Sequence, residues 1–239
     1  MNNLQGKADL HIHTNHSDGN NSVEEVLTYI ATHTDLKLIA ITDHDTISGA
    51  LKAQQLAGSF GVEVIVGEEI STADGHMLAL FIEQTVPPGL SAAASIAAVH
   101  EQGGVCIPAH PYGQLVPSMG RRGLRRRAAG PDCEWPVDGI EGLNASLWRP
   151  YNNILATRVA AELDVACCGG SDSHHLSTIG SAYTVFPGRT AQDLWQAIRQ
   201  RQTCAEGAFW GWNEVATAAL PWFKRELRSL TQLFVPRTA

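Results

Sequence analysis

Positive charge is what this 239-residue chain has least of: 17 Lys and Arg stand against 24 Asp and Glu, a formal net charge of −7. Sequence-independent grip on nucleic acid needs a basic surface, so no stable nucleic-acid complex is expected, although a short strand could still enter a locally positive cleft. Long apolar runs are missing too. None approaches the roughly 18 residues that span a bilayer, which argues against a membrane protein. Cysteine is sparse: Cys106, Cys133, Cys167, Cys168 and Cys204 form neither a CxxC pair nor a disulfide framework. Three of these fall in apolar stretches as small hydrophobes, and an odd number without a secretory signal points to a reducing, cytoplasmic setting. Neither a GxSxG elbow nor a P-loop occurs, which weakens the nucleophile-elbow and nucleoside-triphosphatase readings.

What is present suits a globular enzyme: 44% apolar residues, 17% charged, and a length within reach of one α/β barrel. Residues 8–13 read as a strand. Ser22 and Glu25 then form a capping box, ahead of Val26, Leu27 and Ile30 at helical spacing. Residues 36–42 are almost continuously apolar, as in a parallel strand buried on both faces. A helix over 46–57, strands over 62–67 and 76–81, a helix from Ser91 to the stop at Gly103-Gly104, and a strand over 105–108 follow. Residues 111–136 read as one long loop. Beyond it come a strand (137–144), a helix (151–163), strands over 165–169 and 179–186, and a helix over 190–201. Alternating strands and helices predict a barrel over residues 1–207 with its site in the mouth. Residues 208–239 are expected to be an amphipathic tail. With Trp210, Trp212, Trp222 and Phe223 it would pack on the barrel or meet a second copy in a homo-oligomer.

Five acid-and-histidine clusters sit where apolar runs end. They are Asp9-Leu-His11-Ile-His13, Thr42-Asp43-His44-Asp45, Gly67-Glu68-Glu69, Ala109-His110-Pro111 and Ser171-Asp172-Ser173-His174. Residues two apart in a strand face one side, so His11 and His13 can point inward together. Each cluster alone is ambiguous; Thr-Asp-His-Asp, for instance, serves equally as a helix N-cap. Recurrence at strand ends lets the groups converge, and imidazole nitrogen with carboxylate oxygen suits zinc, manganese or iron. A carboxylate can bridge two such ions, and two ions roughly 3.5–4 Å apart can activate a bridging hydroxide against phosphorus. Arginines 121, 122, 125, 126 and 127 crowd the loop after His110. Arg121 and Arg122, with Arg149 beyond a later strand, are candidate phosphate clamps; a solvated loop is the plainer reading.

These motifs, in this order from His11 to His174, resemble the PHP family, the polymerase and histidinol phosphatase group of metal-dependent phosphoesterases. The resemblance implies a distorted (β/α)7 barrel and two to three divalent ions. One would be held by His11, His13, Glu69 and Asp172, a second by Glu69, His76 and His110, and a third by Asp18, His44 and His174. Glu69 would bridge the first two, and Asp172 or His174 would protonate the leaving oxygen. The stretch from His76 to His110 is too short for the helical insertion domain of some members. The implied substrate is a small phosphomonoester such as a nucleotide or sugar phosphate. Carbamate or amide hydrolysis, short-strand exonuclease action and a non-catalytic metal-binding module are the alternatives. Among remaining candidates, His16 competes with Asp18 as a ligand, Asp9 could steady one, and His33, His100 and His175 are expected to be structural or solvated.

Overall fold

Period-two burial builds the sheet. In β2 (Leu38–Ile41), Leu38 and Ala40 join one apolar cluster while Ile39 and Ile41 join another. The computed structural model describes residues 5–120, 123–124, 128, 133–147 and 149–211. Its other strands are β1 (Gln5–Asp9), β3 (Glu63–Thr72), β4 (Gly75–Leu80), β5 (Val105–Pro108), β6 (Gly139–Asn144), β7 (Ala166–Gly170), β8 (Ala182–Pro187) and β9 (Cys204–Gly207).

Seven strands form a curled sheet in the order β5-β4-β3-β2-β1-β8-β9, and β6 pairs with β7 in parallel. The β6–β7 pair closes the curl. Asp138 N donates to Cys106 O of β5 at 3.0 Å, Ile12 bridges Ser173, and Thr184 Oγ1 of β8 donates to Gly169 O at 3.0 Å. A side chain at Gly169 would meet Tyr183 O at 2.5 Å, so glycine permits that close approach.

Inside the barrel lie Ala8, Leu10, Leu38, Ala40, Ile65, Leu78, Ile107 and Cys168. Around it run α1 (Val23–His33), α2 (Ser48–Leu56), α3 (Ala92–Glu101) and α4 (Pro150–Leu163), whose apolar faces share the outer cluster. The Ser22–Glu25 capping box starts α1 as the sequence predicts. Helix α5 (Ala191–Arg199) follows the end of β8 that pairs with Gln5, opposite the His11 end. Its Leu194, Ala197 and Ile198 plug the barrel interior from below. Burial of one such leucine or isoleucine contributes about 1.5–3 kcal/mol. No helix among the described residues is long and apolar enough to cross a membrane.

The distorted barrel departs from simple β/α alternation in two places. Strand β4 runs antiparallel to β3 and β5, and β8 runs antiparallel to β1. The tight turn into β4 also carries β3 on to Thr72, past the expected stop at residue 67. Glu69 therefore sits within a strand. Strand β9 went unseen in the sequence because Cys-Ala-Glu-Gly lacks the β-branched and aromatic residues that mark strands.

Candidate metal centre

Glu69 occupies the inward face of β3. It pairs across the hairpin with Leu78, a member of the inner cluster, and it is 1% exposed. Its two oxygens face two different sets of nitrogens. Oε2 lies 3.2 Å from His11 Nε2 and 3.3 Å from His13 Nε2. Those two nitrogens are 3.1 Å apart, and Asp172 Oδ1 is 3.4 Å from each. A tetrahedral ion with bonds of about 2.0–2.1 Å has ligand–ligand edges of about 3.3–3.4 Å, so these four atoms are spaced to share one ion. Oε1 faces the second set, with His110 Nε2 at 2.9 Å and His76 Nδ1 at 3.0 Å.

A third group stands beside the first. His174 Nε2 is 3.2 Å from Asp18 Oδ1, and His44 Nε2 is 3.9 Å from Asp18 Oδ2. His44 also reaches toward Glu69 Oε2 through Nδ1, at 3.4 Å, so its ring lies between the groups. His11 Nε2 and His110 Nε2 are within hydrogen-bond distance of Glu69, but other ring nitrogens of the site are not hydrogen-bonded to these acids. His13 Nδ1, His44 Nδ1 and His76 Nδ1 are buried without a hydrogen bond, although carboxylate oxygens lie 3.0–3.5 Å away. Buried polar nitrogens left in this state cost free energy. Lone pairs aimed at a common centre rather than at a partner proton are what a metal site requires, so the residues fit divalent ions.

Backbone geometry delivers these ligands. Val105 and Ile107 of β5 and Ala109 just beyond it belong to the inner cluster, so strict alternation would turn His110 outward. Its φ of +30° breaks the alternation, and Asp172 at φ +54° is likewise in the left-handed region. Such strain persists where surrounding contacts over-determine it. Asp43 carries no ion-facing atom. It accepts from Thr14 N and Ser17 Oγ, both at 2.7 Å, and so shapes the loop that bears Asp18.

Charge follows from this crowding. Burial disfavours the charged forms of Glu69 and Asp172, yet His11 and its neighbours outweigh it and hold both well below the usual carboxylate range. Burial also works against protonated His13, but Asp172 and Glu69 push it up to about 10. Without ions, the pocket stores protons on imidazoles between carboxylates.

The other eight predicted ligand residues thus lie around Glu69. The remaining candidates do not join them. His16 Nδ1 is 2.8 Å from Ser48 Oγ, away from the cluster. Asp9 takes backbone donors from His11 at 3.2 Å, Ser171 at 2.9 Å and Gly180 at 2.9 Å, so it steadies the main chain rather than a ring. His33 stacks on Tyr29, His100 Nε2 is 2.8 Å from Asp138 Oδ2, and His175 Nδ1 is 3.0 Å from Asn20 Nδ2. Arg149 is the exposed N-cap residue of α4, while Arg121 and Arg122 lie outside the described residues. Trp210 anchors to the mouth, donating from Nε1 to Ser171 O and from N to Ala145 O, each at 3.0 Å. Trp212, Trp222 and Phe223 are outside the described residues.

Three supporting residues escaped the sequence reading. Glu141 Oε1 is 2.9 Å from His11 Nδ1; Asn144 Nδ2 and Ser146 Oγ donate to Asp172 Oδ2 at 3.2 and 2.8 Å. The available signal was an acid inside the otherwise apolar stretch Gly139-Ile140-Glu141-Gly142-Leu143.

The PHP domain profile matches residues 9–176, and a PHP-associated profile matches residues 150–203. An uncharacterised protein of Methanocaldococcus jannaschii is 36% identical over 168 residues, covering 66% of this chain and 93% of its own length. A phosphoribosyl 1,2-cyclic phosphate 1,2-diphosphodiesterase of Eggerthella lenta is 36% identical over 85 residues, 33% of this chain and 32% of that protein. Among solved structures, a two-domain protein of Bacteroides vulgatus contains a predicted PHP-like metal-dependent phosphoesterase. It superposes with a TM-score of 0.67 at 20% identity, over 86% of this chain and 65% of that one. With the profile matching most of its length, this chain belongs to the PHP domain family.

Proposed function

We propose that this protein hydrolyses small phosphomonoesters, such as nucleotide or sugar phosphates, at the Glu69 centre, with two to three zinc, manganese or iron ions. One observation carries the reading: the two oxygens of a single buried carboxylate face separate nitrogen sets. His11, His13, Glu69 and Asp172 would hold one ion, Glu69, His76 and His110 a second, and Asp18, His44 and His174 a third. Bound there, divalent ions supply Lewis acidity toward phosphoryl oxygens and acidify water toward neutral pH.

The chain's own residues do the rest. Glu69 and Asp172 stay ionised against the cost of burial, which suits them to ion binding rather than to proton donation. His174 Nδ1 lies 3.0 Å from the carbonyl of Asp172, so its proton belongs on Nδ1 and its Nε2 lone pair faces Asp18. In this reading Asp172 and His174 act by holding ions, and the leaving oxygen takes its proton from water. Arg149, at the N-terminus of α4, is the proposed contact for the outer phosphate oxygens. The phosphorylated sugar in the name of the E. lenta relative supports a small phosphoester, within the 85 residues the two proteins share.

The test is a panel of nucleotide and sugar phosphates, aryl carbamates and short single strands, assayed with EDTA and after adding Mn²⁺ or Zn²⁺. Turnover of the monoesters is expected to vanish with EDTA and return with metal. Glu69→Gln is expected to lose at least about 10²–10³-fold in kcat/KM, the scale of several kcal/mol of lost charge stabilisation. Turnover undiminished by thorough metal removal defeats the proposal.

A further inference from the structure

A second buried carboxylate, Glu141 on β6, links the residues of the two Glu69-centred sets from behind. It is 1% exposed, and among the described residues no lysine or arginine pairs with it. Oε1 lies 2.9 Å from His11 Nδ1, which belongs to the first set. Oε2 accepts from the backbone N–H of His110, one of the two histidines of the second set, at 2.5 Å. The same Oε2 accepts from Asn144 Nδ2 at 2.9 Å, and Asn144 donates onward to Asp172 Oδ2 at 3.2 Å, back in the first set. The barrel makes room for this: a side chain at Gly170 would meet Glu141 Oε1 at 2.8 Å.

Each contact has a separate consequence. A carboxylate on Nδ1 keeps the His11 proton on that nitrogen, so the Nε2 lone pair is left facing His13, Glu69 and Asp172. The bond to His110 N holds a residue whose φ of +30° would otherwise relax, carrying its ring away from Glu69 Oε1. A displacement of Glu141 therefore disturbs both sets together, whereas the loss of Asn144 disturbs the first directly, at Asp172, and the second only through Glu141.

We infer that Glu141 is a positioning residue that couples occupancy of the two ion positions. This rests on the functional reading above, since it presumes that both positions take ions. The coupling predicts that filling one position orders Glu141 and raises affinity at the other.

The test uses the full chain stripped of metal, with Mn²⁺ and Zn²⁺ as the probes. Ion content is measured after dialysis and isotherms by chelator competition, together with histidine ¹⁵N shifts, which report the tautomer. In wild type, two ions are expected to bind cooperatively around Glu69, with His11 held as the Nδ1–H tautomer. Glu141→Gln is expected to weaken both positions about 10–100-fold, abolish the cooperativity and leave the His11 tautomer mixed. Asn144→Leu keeps the contacts of Glu141 with His11 and His110 but removes the bond to Asp172, so it is expected to weaken the first position more than the second; it carries the test if Glu141→Gln does not fold. Wild-type affinities, cooperativity and tautomer in folded Glu141→Gln overturn the inference while leaving the phosphoesterase reading intact. Equal weakening of both positions in Asn144→Leu overturns it too. A wild-type chain that takes up no divalent ion overturns both.

Discussion

His13 concentrates the electrostatics of the site in one ring. Its pKa in the ion-free protein, about 10, lies above its unfolded value of about 6.5. Protonated His13 therefore stabilises the ion-free fold in full below pH about 6.5, and that stabilisation is lost as the pH rises through about 10. Calorimetric melting of the metal-free protein between pH 7 and 10 is expected to show a steeper fall for wild type than for His13→Gln. Equal slopes would refute the assignment. Ions need the neutral ring, so each ion bound against His11 and His13 must expel protons. Titration calorimetry in buffers of different ionisation enthalpy is expected to register that release, with affinity rising with pH.

Helix α2 shows how an element that supplies no proposed ligand still shapes the site. Gly49 lies in its first turn, where alanine would ordinarily add about 1 kcal/mol of helix stability. Here a methyl would overlap Asp43 Oδ2 and stand 2.9 Å from Thr14 Oγ1. Asp43 accepts from Thr14 Oγ1 at 2.7 Å as well as from Thr14 N and Ser17, so the overlap would be transmitted to the loop bearing Asp18. Gly49→Ala is expected to cost about 1–3 kcal/mol, as overpacking does, and to lower ion content at the Asp18 group. Thermal melting and metal analysis check both. A stabilised variant with full ion content would show that α2 yields freely.

At the scale of the whole molecule, ions at the Glu69 centre would tie the barrel together. Their proposed ligands come from β3 and β4 and from the segments following β1, β2, β5 and β7, and no local stretch holds a complete proposed set. Ions that bind only the folded chain stabilise it by mass action, about 2.7 kcal/mol at a free concentration a hundred times Kd. For a domain of this size that corresponds to about 5–10 °C in Tm. EDTA is expected to lower Tm by that order and Mn²⁺ to restore it, a scan any calorimeter can make. No shift would mean that the ligands gather equally well without ions.

The chain by itself determined the elements and the donor types. Apolar runs such as residues 36–42 marked the buried strands, and Ser22 with Glu25 marked the start of α1, because these signals are local in sequence. Glu69 and the eight histidines and acids around it were legible because their motifs recur in order. Tertiary structure decided what depends on contacts between distant residues. That β4 turns back on β3, so that Glu69 sits mid-strand beside Leu78, follows from cross-strand pairing rather than from the residues of β3. Glu141 showed no motif, since its meaning lies in His11, 130 residues earlier. Whether a carboxylate holds an ion or a ligand's ring is set by which nitrogen it meets, and only the folded barrel brings the two together.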